Sequence, residues 1–294
     1  MDGWVFIDKP KNITSFKVIQ RLRKILDIKK IGHAGTLDPF ATGILAIAIG
    51  EATKSIHYFN QNKAYKFNVV FGESKDTDDI TGTTIGKSNI IPTKEQIDKC
   101  LKKFIGKHIQ IPPQYSAVKV NGTRAYKLAR SNQKFSIRSK EVFIKSLRRE
   151  EIKNNREHCF TLECSSGTYV RAIARDLGKM LGTFAHVSEL RRVKIGKIEE
   201  KDIILLDKFE ELVHIGHHFE VMHSIRDVLD DIPAVLINQE LSLKFRNGLS
   251  FEYSNKKSEN GYLLIETEKT FVGIGKAVDG KIKPVRVFNL YEGM

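Results

Sequence analysis

The sequence predicts an α+β protein, with a mainly antiparallel mixed sheet flanked by helices and a smaller β-rich region after it. Three observations carry this. Tyr65–Phe71 and His158–Cys164 alternate with the period of two expected of half-buried strands. Between and around them lie segments with apolar residues at helical spacing. Beyond a composition change at Asp230–Pro233, short apolar runs are separated by Asn247-Gly248, Asn260-Gly261 and Asp279-Gly280, which read as turns between strands. The expected division is therefore 1–230 and 231–294.

Element by element, Trp4–Asp8 reads as a short strand and Lys9-Pro10-Lys11-Asn12 as a turn. Thr14 or Ser15 caps a helix to about Leu26, with Val18, Ile19, Leu22, Ile25 and Leu26 on one stripe. Lys17, Arg21 and Lys24 fall off that stripe, on a solvated face. Thr93–Phe104 reads as an amphipathic helix. The segment 119–140 carries Lys119, Arg124, Lys127, Arg130, Lys134, Arg138 and Lys140 among small and polar residues. Such a run is either a solvated loop or a basic flap over a polyanion.

The chain has 294 residues and 41% hydrophobic residues, enough for a sizeable core. Its formal net charge is +14 and its pI about 9.5, which favours a polyanionic partner. A membrane surface would need an apolar anchor or a strong amphipathic helix, and neither is seen, nor is a signal-peptide pattern at Met1–Pro10. Cys100, Cys159 and Cys164 match no common zinc or CxxC spacing, so a reduced, cytoplasmic chain is expected.

The most chemically pointed segment is Gly32-His33-Ala34-Gly35-Thr36-Leu37-Asp38-Pro39-Phe40-Ala41-Thr42-Gly43, which leads into the apolar run Ile44–Ile49. Gly32, Gly35 and Gly43 permit backbone angles closed to other residues, and Pro39 biases Asp38 toward extended backbone. Asp38 is thus either a turn residue or a carboxylate presented on a shaped loop. A phosphate-binding P-loop is excluded, because Gly50 is followed by Glu51 rather than Lys and Ser or Thr. A second segment, Cys164-Ser165-Ser166-Gly167-Thr168-Tyr169-Val170-Arg171, follows a strand and opens a helix with Val170, Ile173, Leu177 and Leu181 on one stripe. Arg171 then sits in the first turn, where the helix dipole opposes a cation by a few tenths to about 1 kcal/mol. A compensating anion such as Asp38 would remove that mismatch.

Two clusters are set aside. His214, His217, His218 and His223 crowd one segment without a clear third metal ligand. Asp76-Thr77-Asp78-Asp79 reads as a solvated acidic turn rather than a Mg²⁺ site.

Over its whole length the Gly32–Gly43 segment resembles the GH-x-G-x-LDP-x-ATG motif of the TruB-type pseudouridine synthases. Ala64-Tyr65-Lys66, Ile111–Lys119, Ser165–Arg171 and Gly182–Arg192 are similar to further blocks of that family. The resemblance implies a catalytic set of Asp38, Tyr65 and Arg171. It also implies nucleotide contacts from His33, Tyr65, Tyr169 and Leu190, with Lys9, Lys54 and Asp79 at further matching positions. The implied reaction converts uridine to pseudouridine at position 55, in the TΨC loop of tRNA. No metal or cofactor is implied, since substrate and product are isomers. The implied partner is tRNA, through its T-arm, with the acceptor stem near a PUA-like C-terminal domain; Gly248, Phe271–Gly275 and Pro284–Phe288 are the residues that support that module. A monomer without guide RNA is expected. The rivals are a guide-RNA-dependent enzyme and a noncatalytic tRNA-folding chaperone.

Overall fold

The structure is a computed structural model that describes residues 1–152, 154–253 and 261–290. Ten strands form the main sheet: β1 (Gly3–Lys9), β2 (Ile31–Ala34), β3 (Thr42–Ile49), β4 (Lys63–Phe71), β5 (Gly106–Gln110), β6 (Lys140–Ile152), β7 (Glu157–Cys164), β8 (Ala185–Ile195), β9 (Ile198–Glu199) and β10 (Ile204–Leu205). Their order is β10-β1-β3-β8-β4-β7-β6-β5, with β2 on β3 and β9 on β8. Only the β1–β10 and β3–β8 pairs are parallel, which makes the sheet the mixed, mainly antiparallel one expected.

The helices α1 (Ser15–Leu26), α2 (Lys94–Leu101), α3 (Ala125–Arg130), α4 (Val170–Met180) and α5 (Leu206–His214) accompany this sheet. Thr14 caps α1 by accepting the Lys17 N–H, and Thr93 caps α2 in a reciprocal capping box with Gln96. The period of two along the strands assigns side chains to two cores. Val5, Ile7, Leu45 and Ile47 pack with Val18, Leu22, Ile173, Leu177 and Phe209 under the helices. Trp4, Phe6, Ile44 and Ala46 face the other way.

That second face is covered by a five-stranded sheet: β11 (Ala234–Leu236), β12 (Phe251–Glu252), β13 (Tyr262–Glu266), β14 (Phe271–Val278) and β15 (Lys281–Val287), in the order β11-β13-β14-β15-β12. Leu264, Phe271, Ile274 and Phe288 join Trp4 and Phe6 in one apolar cluster. Burial on both faces explains why Ile44–Ile49 is a continuous apolar run rather than an alternating one.

Two expectations change. Asn247-Gly248 ends a helix, α6 (Gln239–Arg246), with Gly248 at φ +80°, because Leu241 and Phe245 pack inward at helical spacing. Gly32 has ordinary strand backbone opposite Ala48, unlike Gly35 at φ +84° and Gly43 at φ +93°. Asp279-Gly280 makes the expected hairpin turn, whereas Asn260 lies outside the described residues.

Candidate active site

Asp38 lies between two buried plugs. Leu37 and Phe40 enter the core on either side of it, and the Ser15 hydroxyl both donates to the Leu37 carbonyl and accepts its N–H, at 3.0 and 2.9 Å. The Asn12 N–H holds the Pro39 carbonyl at 2.8 Å. Lys9 is fully buried and donates to the carbonyls of Pro10, Ile13 and Pro39. All three ammonium hydrogens are thereby used in fixing the loop. Burial brings its pKa down to about 8, against the pull of Asp38. Gly43 is required where β3 meets β8: a Cβ there would lie 2.2 Å from the Arg192 carbonyl oxygen.

Arg171 enters from the first turn of α4. The Tyr169 N–H at that helix start is satisfied by the Gln110 side-chain oxygen at 2.7 Å, which leaves the Arg171 side chain to turn inward. Its Nη2 meets Asp38 Oδ1 at 2.9 Å, and its Nη1 lies 3.2 Å from Asp79 Oδ2. The carbonyls of Thr77 and Tyr115 accept two further hydrogen bonds from it. Arg171 and Asp79 are each only 4% exposed, while Asp38 keeps 32% of its side-chain surface open. Asp79 Oδ1 is occupied by Thr77 Oγ1 at 2.9 Å and the Thr81 N–H at 3.0 Å, so Oδ2 is the oxygen left for Arg171.

The acidic turn is therefore not solvated. Asp79 pairs with Arg171 and Asp78 with Arg175, at 3.0 Å, because two arginines of α4 face it. Burial lifts the Asp38 pKa above the ordinary carboxylate value against the pull of Arg171, and the Asp79 charge adds to the rise.

These groups line a cavity of about 570 Å³ shared with His33, Tyr65, Tyr169 and Leu190. Tyr65, on β4, faces Arg192 of β8 in register. Burial raises its hydroxyl to about 12, opposed by the Arg192 charge, so the hydroxyl stays protonated at neutral pH. Leu190 supplies an apolar surface, and Tyr169 stands at the start of α4 with its hydroxyl also raised by burial. His33 is lowered by burial and by Arg192, which makes it a neutral imidazole at neutral pH. From the basic segment, Tyr126 and Arg130 of α3 reach the cavity mouth.

Lys54 is elsewhere. Its Nζ binds Glu51 and the Val287 carbonyl at 2.9 Å, tying the turn Gly50–Ser55 to the end of β15, away from the cavity lining. Arg192 and Lys63 line the cavity and were not singled out in the sequence. Their one signal was a cation at an inward position of an alternating strand.

Among the described residues no three metal-ligating side chains converge. His217 pairs with Glu220, and His218 and His223 pack in tilted ring contacts against Phe219 at 4.2 Å and Phe6 at 5.0 Å. No helix among the described residues is long and apolar enough to cross a membrane.

The cavity thus presents a carboxylate, Asp38, gripped by an arginine and set beside a tyrosine and a leucine. Two family descriptions match the chain: TruB family pseudouridylate synthase (N terminal domain) over residues 23–170, and tRNA pseudouridylate synthase B C-terminal domain over 171–236. The chain is 44% identical to the tRNA pseudouridine synthase B of Ehrlichia ruminantium, over 99% of this chain and all of that protein. It is 39% identical to that of Caulobacter vibrioides, over 99% and 97%. In fold it is similar to a chain in the crystal structure of a Cbf5-Nop10-Gar1 complex, with a TM-score of 0.74 and 24% identity over 98% of this chain and 84% of that one. The protein is a pseudouridine synthase, and so an isomerase. More particularly, the chain belongs to the TruB family of these enzymes.

Proposed function

We propose that this enzyme converts uridine 55 in the TΨC loop of tRNA to pseudouridine, acting as a monomer without guide RNA in the cytoplasm. The observation that carries the chemistry is the 2.9 Å pair of Arg171 and Asp38 on a cavity wall that also holds Tyr65 and Leu190. The choice of tRNA rests on relatives named tRNA pseudouridine synthase B that match nearly the whole chain.

The reaction breaks the bond from uracil N1 to C1′, turns the base, joins C5 to C1′ and finally moves the C5 proton away. It is an isomerisation and needs no net oxidant or reductant. Cleavage develops positive charge on the sugar and negative charge on uracil, so the Asp38 carboxylate serves as nucleophile or electrostatic partner at the sugar. Arg171 orients it and favours its ionised form. Tyr65 and Leu190 hold the extruded base between ring and methyl groups. Stacking of this kind contributes roughly 1–3 kcal/mol toward the cost of unstacking. Tyr65, protonated at neutral pH, is placed to handle a proton late in the reaction. His33 and Tyr169 contact the nucleotide. Residues 1–230 form the catalytic unit, 119–140 its RNA-gripping flap, and 231–294 a PUA-like unit facing the acceptor stem.

The test is incubation of the chain alone with an unmodified tRNA transcript, followed by carbodiimide mapping of pseudouridine. A single modification at position 55, absent when that uridine is replaced by cytidine, is expected. Modification elsewhere, or only after guide RNA is added, would overturn the reading.

A further inference from the structure

The cavity has two unlike walls. On one, Arg171 is matched by Asp38 and Asp79. On the other, around Gly35 and Gly167, Lys63 and Arg192 stand without a carboxylate partner among the described residues.

Arg192 is 0% exposed. Its Nε donates to the Ile44 carbonyl at 2.7 Å and its Nη2 to the Gly35 carbonyl at 2.9 Å; Nη1 has no partner at good hydrogen-bond geometry, and the Tyr65 hydroxyl lies against the same guanidinium. Lys63 is also largely buried, at 8% exposure, on the cavity lining. Burial and the Arg192 charge lower its pKa to about 8, so it remains largely charged at neutral pH. Its other close groups are Lys140, a cation, and the Cys164 thiol, which burial raises to about 11 and so keeps neutral. Nearby, His33 Nδ1 is buried and unpartnered too.

The charged atoms converge. A Cβ at Gly35 would lie 3.2 Å from Lys63 Nζ and 3.3 Å from Arg192 Nη1, and one at Gly167 would lie 2.0 Å from Lys140 Nζ. Glycine at both places makes room for these cationic side chains. Two neighbouring cations, one with a buried N–H left over, repel one another at a cost that an anion between them would remove. Uracil is neutral on arrival. A phosphodiester carries a full negative charge on two free oxygens, which suits two separate cationic donors, and it is the anionic group that must lie beside a nucleotide entering the cavity.

We propose that Lys63 and Arg192, with Lys140 at the rim, form a phosphate subsite on the Gly35 wall that takes a phosphodiester group adjoining the target uridine. The inference rests on an RNA substrate for this cavity.

The test measures tRNA affinity against salt in an Asp38→Asn background, which separates binding from turnover. Lys63→Gln should weaken binding about tenfold and make the slope of log K against log salt shallower by about 0.7–0.9, the loss expected for one phosphate contact. Lys63→Arg should restore both. As a check that does not depend on a variant folding, neutral methylphosphonate linkages are placed one at a time around the target uridine and bound to the protein with Lys63 intact. One linkage should lower affinity about as much as Lys63→Gln, and the two changes together should cost no more than either alone. An unchanged slope for Lys63→Gln, or no linkage coupled to Lys63, overturns the subsite; a loss confined to kcat in the Asp38 enzyme does so too, assigning these cations to Tyr65 or the base. Failure of the parent protein to bind tRNA at all would instead overturn the RNA substrate.

Discussion

Arg171 Nη1 lies 3.2 Å from Asp79 Oδ2 while Nη2 of the same guanidinium holds Asp38 at 2.9 Å. One cation is thus shared by two carboxylates, one buried and one open to the cavity. Asp79 aims the arginine, and the arginine aims Asp38.

Asp79→Asn is expected to separate these effects. Its charge contributes to the raised Asp38 pKa, so its removal should shift the acid limb of the pH–rate profile to lower pH. Loss of the Arg171 anchor should lower kcat by up to about 100-fold. Single-turnover rates across pH check both, and an acid limb that does not move would contradict the coupling.

Arg171→Lys keeps the charge and loses the fork. A charge-assisted hydrogen bond is worth about 1.5–3 kcal/mol, which corresponds to roughly a 10- to 150-fold fall in kcat. Tight binding of tRNA should survive, so the measurement is a comparison of Kd with single-turnover rate.

The pH dependence of the parent enzyme follows from the same network. In the proposed mechanism catalysis needs Asp38 ionised, and its pKa is raised. Activity should therefore fall on acidification at a higher pH than for an ordinary carboxylate, with full activity above that limb.

Glu51 makes a stability prediction at the seam between the sheets. Partial burial pushes its pKa up, but the Asn289 N–H and the ammonium groups of Lys30 and Lys54 prevail and hold it at about 2. Its folded pKa lies below the unfolded one, so its contribution is complete above about pH 4.5 and is lost as pH falls toward 2. Glu51→Gln should cost on the order of 1 kcal/mol at neutral pH after solvent screening, or about 2–4 °C in Tm. Thermal melts should show that gap closing over the acid window.

Arg130 of α3 lines the cavity mouth. Arg130→Ala should weaken RNA binding and flatten its salt dependence by about one unit of slope. A salt titration by filter binding reads both.

Much of this was legible in the sequence because it depended on local signals. Thr14 and Thr93 announced their helices, and the strand before α4 placed Arg171 in a first turn that wanted an anion. The unread parts depended on what arrives from elsewhere in the chain. Asp78 and Asp79 resemble a solvated turn until two arginines of α4 cover them. Lys9 is an ordinary turn lysine until three carbonyls close around its ammonium. Asn247-Gly248 has the composition of a hairpin turn, and only the inward packing of Phe245 makes it the end of a helix. Arg192 gave least warning, because an arginine buried between strands violates the rule that strand patterns are read by.

The most direct test of the account is tritium release from an unmodified tRNA transcript carrying tritium at uracil C5, with the purified chain alone and with its Asp38→Asn variant. The account predicts stoichiometric release by the parent chain and none by Asp38→Asn, which should still bind the transcript. Equal release by both would contradict the role of Asp38; no release from a proven substrate that the parent chain binds tightly would contradict guide-free catalysis.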